Sequence, residues 1–240
     1  MGIDVFAKAW SVIPPITAQP VRGHPLCPRH GFLFNNGAIQ DIVLNVRGAS
    51  AGSTAGTFST SSARRAPGIC REHTATTDFD QLGLDSLLLP TQDCSIVLGY
   101  EKTDATLRAS VAFGTEGVAG NACHGYVPYS DGTTYFDFGG ESGGNRVSVG
   151  GLSFGDDVWV FTTGAREQAI YQNGIARASS AQNPTRTQGT VQFELGRKTP
   201  GPVASDLAKW KFFYIYWRQL TVREITEISA FPFQWIDPRS

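Results

Sequence analysis

Charge of either sign is scarce in this chain: only 17% of its 240 residues are Asp, Glu, Lys or Arg, and the formal net charge is −1. A surface with no basic excess has nothing to hold the polyphosphate of DNA or an acidic bilayer face, so neither nucleic acid nor membrane is an expected partner. Cysteine is equally sparse. The four, Cys27, Cys70, Cys94 and Cys123, lack the dense spacing of a disulfide-stapled secreted scaffold and predict reduced thiols in a protein made in a reducing cytoplasm. No apolar run approaches the roughly 18 residues of a membrane-spanning helix. Pro14, Pro15 and Pro20 interrupt the N-terminal stretch, and Phe6 stands where a myristoylation motif after Gly2 wants Ser or Thr. Neither a signal peptide nor a lipid anchor is expected.

Helical periodicity is almost missing too, and what fills its place is β-like. From Gly31 onward come ten short runs: GFLFN, DIVLNV, SIVLGY, RASVAF, TYFDF, RVSVG, VWVFTT, QAIYQ, VQFEL and KWKFFYIYW. Each is rich in β-branched or aromatic residues and bounded by turn formers. Such a series predicts an all-β sandwich of two antiparallel sheets. With 41% hydrophobic and 11% aromatic residues, the chain can bury the core of one domain. We divide it into an extended, proline-punctuated arm, 1–27, and a sandwich domain, 28–240. Phe6 and Trp10 on the arm are candidates for docking on a neighbouring subunit. The small polar stretches 48–62 and 178–189 read as surface loops.

Three local signals are sharper. Asn173-Gly174 between apolar residues suits a type I′ hairpin, because both residues tolerate positive φ. Lys209 to Trp217 alternates Trp210, Phe212, Tyr214 and Tyr216 against Phe213, Ile215 and Trp217, which predicts a central strand covered on both faces. Thr221 and Glu224 form a capping box ahead of Val222, Ile225 and Ile228, and Phe231-Pro232 closes that short C-terminal helix.

Taken in order, these segments resemble the laminin-G-like branch of the concanavalin A-like lectin and glucanase superfamily, in the single-domain form found in tailed-phage virion proteins. Ile170-Tyr171-Gln172-Asn173-Gly174 is similar to that family's hairpin, and Val191 to Gly196 to the strand that follows it. Phe213 to Ile225 resembles its closing strand and capped helix, and Phe231-Pro232-Phe233-Gln234-Trp235 the proline-aromatic tail of phage copies. Phe32 to Gly37 and Val127 to Gly140 agree more loosely. The resemblance implies a concanavalin A-like jelly roll acting as a structural or display protein of a tailed-phage virion, on capsid or tail, made in the host bacterial cytoplasm. Other virion proteins and copies of itself are the implied partners. The alternative is a host-glycan-binding module for attachment.

Catalytic chemistry is hard to find in the sequence. A retaining glucanase needs two carboxylates about 5–5.5 Å apart, and the Glu-x-Asp-x-x-Glu pattern of the resembling glucanases is missing. Asp78-Phe79-Asp80, Asp156-Asp157 and the Glu224, Glu227 pair are the nearest clusters. There is no Gly-x-Ser-x-Gly elbow and no phosphate-cradling loop. The expectation is therefore a binding or assembly protein rather than an enzyme, with a glucanase the least supported alternative and no cofactor. Two Cys-x-x-His pairs, Cys27 with His30 and Cys70 with His73, are the residues that would supply a tetrahedral zinc site, although the default is no metal. Asp131, Asp137, Asp156 and Asp157 could offer oxygens to calcium, but Asp at turns more often caps backbone groups. For stacking on pyranose rings the preferred patch is Tyr126, Tyr129, Asp131 and Tyr135. The competing reading is that these tyrosines simply complete a sheet and its rim.

Overall fold

The computed structural model describes residues 19–34, 40–41, 43, 46–47, 57–61, 68–75, 78–85, 90–102, 111–115, 120–141, 143–165, 167–188, 192–196 and 207–237. Phe6 and Trp10 of the arm lie outside the described residues. In chain order the strands begin with β1 (Gln19–Pro20), β2 (His30–Leu33), β3 (Gln40–Asp41), β4 (Val46–Arg47), β5 (Thr57–Ser61) and β6 (Gly68–His73). Next come β7 (Asp80–Asp85), β8 (Cys94–Lys102), β9 (Val111–Thr115), β10 (Cys123–Tyr126), β11 (Thr133–Phe138) and β12 (Arg146–Gly150). The series ends with β13 (Asp156–Thr163), β14 (Gln168–Gln172), β15 (Ile175–Ser180), β16 (Gln192–Leu195), β17 (Ala208–Tyr216) and β18 (Ile236–Asp237). One α-helix, α1 (Val222–Ala230), is found among the described residues.

Six strands form an antiparallel sheet in the order β12-β11-β10-β9-β16-β7. Ten form the other, β15-β14-β13-β8-β17-β2-β3-β4, with β6 also pairing β17 and β5 pairing β6. The two sheets stack as an all-β jelly-roll sandwich with one short C-terminal helix, the architecture that the run pattern predicts. Phe113, Phe136, Phe138, Phe193 and Leu195 from the smaller sheet meet Ile96, Leu98, Trp159, Phe161, Phe213 and Ile215 from the larger in one buried core. The larger sheet buries its other face as well. Val97, Val160, Tyr171, Phe212, Tyr214 and Tyr216 are covered there by Ile225 and Ile228 of α1 and by Phe233 and Trp235 of the tail. Each large side chain so buried contributes about 1.5–3 kcal/mol, so the tail is part of the fold. Residues 19–27 lie against the same region: β1 pairs with β18, and the Tyr216 hydroxyl donates to the Leu26 carbonyl at 2.7 Å.

The Asn173-Gly174 turn has φ of 56° and 81°, as a type I′ hairpin requires. The capping box is present at Thr221 and Glu224. Ile225 and Ile228 are buried, but Val222 is 60% exposed, so the helix buries one turn less than its apolar spacing suggests.

Several expectations need correction. In β17 the register shifts between Trp210 and Phe212, and this bulge moves Trp210 onto the face of Phe213 and Ile215 instead of that of Phe212. The run DIVLNV is not one strand: it contributes to β3 and β4, which pair with each other. The stretches read as loops contain β5 and the end of β15. β15 is an edge strand whose residues are mostly exposed, so it has no apolar alternation to read. β10, with the sequence CHGY, escaped notice because its inward positions are Cys123 and Gly125, neither of them β-branched or aromatic.

Candidate functional site

Side chains alternate along a strand, so Cys123, Phe136 and Phe138 in the inter-sheet core send His124, Tyr126, Tyr135 and Asp137 to the outer face of the six-stranded sheet. The register sets Tyr126 opposite Tyr135, and His124 opposite Asp137, which is in turn opposite Arg146. A short connection after β10, beginning at a cis Val127-Pro128 bond, brings Tyr129 back over the same face. The Tyr126 ring centre lies 5.1 Å from that of Tyr129 and 6.1 Å from that of Tyr135, and Tyr129 and Tyr135 are 5.9 Å apart, all edge-to-face. The Tyr135 hydroxyl donates to Asp131 Oδ2 at 2.6 Å, and the Thr133 amide donates to Asp131 Oδ1 at 2.8 Å. The hydrogen bond from Tyr135 holds the Asp131 carboxyl below its ordinary value and pushes the Tyr135 phenol up.

The structure thus brings together all four residues of the expected patch. Tyr129 and Tyr135 are half-buried, Asp131 is exposed, and Tyr126, only 4% exposed, supports them from beneath. Sequence reasoning missed what surrounds them. The Arg146 guanidinium sits 4.5 Å over the centre of the Tyr135 ring and grips Asp137 with two hydrogen bonds of 2.5 and 2.6 Å. His124 is fully buried, its Nε2 2.7 Å from Asp137 Oδ2 and 3.5 Å from Glu141 Oε1, close to both though not in straight hydrogen-bond geometry. Only strand register puts Arg146, Asp137 and His124 side by side, and no sequence spacing announces it.

The four zinc candidates do not meet. His73 pairs with Ala208 and His30 with Ile215 on β17, a separation of roughly 20 Å at about 3.3 Å per residue. His73 is engaged elsewhere: its Nε2 lies 2.9 Å from Asp80 Oδ2, and its Nδ1 accepts from Trp210 Nε1 at 3.3 Å. An indole N–H can only donate, so Nδ1 is unprotonated and Nε2 carries the proton that faces Asp80. Arg71 completes this buried cluster with a two-pronged grip on Asp80 at 2.7 and 2.8 Å. The calcium candidates are likewise dispersed. Asp131 takes Tyr135, Asp137 takes Arg146, Asp156 takes Lys211, and Asp157 takes the Gly155 amide and Asn173. Among the described residues no group of three or more His, Cys, Asp or Glu is placed to hold a metal ion, and no helix is long and apolar enough to cross a membrane.

No family model matches the sequence, and no curated protein matches it. Solved structures do. Domain 4 of an extracellular arabinanase from Geobacillus stearothermophilus, solved with arabinotriose, superposes with a TM-score of 0.58 at 18% identity, over 88% of this chain and 98% of that domain. The CBM40 of the Ruminococcus gnavus IT-sialidase, bound to α2,3-sialyllactose, matches with a TM-score of 0.53 at 15% identity, over 67% of this chain and 96% of that one. A Trypanosoma rangeli sialidase matches with a TM-score of 0.52 at 13% identity, and there the chain spans 37% of the enzyme's length. At these identities the likeness establishes the fold alone: a sandwich of two antiparallel β-sheets.

These matches correct the expectation that the chain is not an enzyme. The similar structures are mainly glycosidases or their domains, so the architecture is one that glycosidases use.

Proposed function

We propose that this chain is a glycan-recognition sandwich whose contact surface is the outer face of the six-stranded sheet, at Tyr129, Asp131 and Tyr135. The observation that carries the reading is the convergence of three tyrosines, Asp131 and Arg146 on that face. Aromatic rings supply the apolar surface on which the C–H face of a pyranose packs, and the carboxylate and guanidinium supply the acceptors and donors that fix its hydroxyls. Tyr126 and the buried His124–Asp137 pair hold the outer groups in place. The arabinanase domain solved with arabinotriose and the CBM40 bound to sialyllactose share the fold and support the choice of ligand class.

A glycan array probed with the protein, followed by calorimetry on the best ligand, tests this. Tyr129→Ala and Tyr135→Ala should each weaken binding by roughly tenfold, the loss of one good stacking contact. Binding untouched by both changes would move the site elsewhere. Reducing-sugar release measured on the same samples reports whether recognition leads to cleavage.

The finer reading places the domain on a tailed-phage capsid or tail, beside other virion proteins and copies of itself. Its support is the order of the segments from Phe213 to Ile225 and from Phe231 to Trp235, which resembles phage copies. Antibody labelling of purified virions should decorate the particles, and bare particles would remove this placement while leaving the glycan reading intact.

A further inference from the structure

Away from the tyrosine patch, the loop 151–155 between β12 and β13 and Asn173 of the hairpin turn flank an open cleft of about 460 Å³, the size of a small-ligand site. Leu152 and Phe154 form its apolar wall. Both pack on the inter-sheet core, and Phe154 stacks on Trp159 with ring centres 5.9 Å apart and 20° between planes, so the wall is fixed before any ligand arrives. The polar lining is fixed too. Gln172 Nε2 donates to the Ser153 carbonyl at 2.7 Å, Asn173 Nδ2 to Asp157 Oδ1 at 2.7 Å, and the Gly155 amide to Asp157 Oδ2 at 3.0 Å. Each Asp157 oxygen retains a lone pair for a further donor. On the adjoining strand Arg177 lines the same cleft, exposed and without a hydrogen bond or ion pair among the described residues.

We propose that this cleft is a second saccharide subsite that takes a sugar bearing a carboxylate. Arg177 grips the carboxylate with its planar fork, Asp157 accepts from ring hydroxyls, and Phe154 with Leu152 faces the apolar side of the ring. A carboxylate suits the site better than a phosphate, because Asp157 already contributes one negative charge and repels a dianion more strongly. The inference rests on the reading of the chain as a glycan-recognition domain, but it uses none of the residues of the tyrosine patch.

Titrations of isotopically labelled protein with glucuronic acid, glucose and inorganic phosphate, followed through the amides of Gly151, Gly155 and Gly174, test it. Glucuronic acid should shift these amides saturably, and glucose and phosphate should not. Arg177→Gln should weaken the response by about tenfold or more, the loss of a charge-assisted pair, with Arg177→Lys falling between. Arg177 is an exposed strand residue, so these variants are expected to keep the fold, with unchanged circular dichroism spectra as the check. Unmoved cleft amides, an equal response to glucose or phosphate, or a response indifferent to Arg177→Gln would each overturn the proposal. If neutral oligosaccharides still act at Tyr129 and Tyr135 in that case, only the cleft proposal falls. No response to any saccharide at either place removes both readings.

Discussion

Replacing Asp80 by asparagine is expected to cost about 3–5 kcal/mol of folding stability, read as a drop in the denaturation midpoint. The change is nearly isosteric, so it leaves no cavity and isolates the charge. Arg71 and His73 are 4% and 0% exposed, and the carboxylate they share is fully buried. Removing its charge strips the guanidinium of its two-pronged partner and turns the face presented to His73 from acceptor only into one that can also donate. Replacing all three partners, Arg71→Met with His73→Phe and Asp80→Leu, should cost less than Asp80→Asn alone, because no buried charge or imidazole N–H is then left without its partner and desolvating the charges offsets most of their attraction. A cost below about 1 kcal/mol for Asp80→Asn would mean that Arg71 is satisfied without it.

Acid should tell the same story. Burial tends to raise the Asp80 carboxyl, but the hydrogen bonds from His73 and Arg71 outweigh it and hold the group below its ordinary 3.8. Glu224 follows the same pattern: burial pushes it up, while the Arg218 fork and the Thr221 amide and hydroxyl bring it from 4.5 down to about 2. In the unfolded chain both groups take up protons at higher pH than in the folded protein. Their contribution is therefore complete above about pH 4.5 and is lost as pH falls toward 2. Thermal unfolding across that window should show a steep acid limb, and the Asp80→Asn variant a shallower one.

What could be read before the fold was known depended on whether the signal was local. The Asn173-Gly174 turn and the Thr221–Glu224 cap are satisfied within a few residues, and both stand where the sequence places them. The tyrosine patch was legible for a similar reason: Tyr126 to Tyr135 spans two neighbouring strands and the turn between them, so the alternation on each strand nearly suffices. Arg146 and His124 join that patch only through pairing across β10, β11 and β12, which no periodicity within one strand encodes. The bulge at Lys211 was invisible for another reason. A lysine between Trp210 and Phe212 reads as an ordinary alternating position, yet it is 1% exposed and paired with Asp156, a partner 55 residues away. Burying that amine requires a carboxylate which only the tertiary fold supplies. The Cys-x-x-His pairs failed in the opposite direction, since their spacing is local while the strands that carry them run to distant parts of β17.

Truncating Phe113 to alanine should remove about 3–5 kcal/mol, because its ring joins the two sheets. Its centre lies 6.4 Å from Phe136 and 5.8 Å from Phe193 in its own sheet, and 5.2 Å from Phe161 and 5.8 Å from Phe213 across the core. The ring has room because the residue directly opposite it on β10 is Gly125. A methyl group at that glycine would sit 2.7 and 2.8 Å from two carbons of the Phe113 ring. Phe113 is fully buried and cannot swing aside, so Gly125→Ala alone should cost about 1–3 kcal/mol through overpacking. In the Phe113→Ala background the same methyl enters the space that the ring has left, and the penalty should shrink or vanish. The double variant should then be more stable than the sum of the single losses predicts by about 1–2 kcal/mol. Losses that add to within about 0.5 kcal/mol would show that the ring does not cover the glycine.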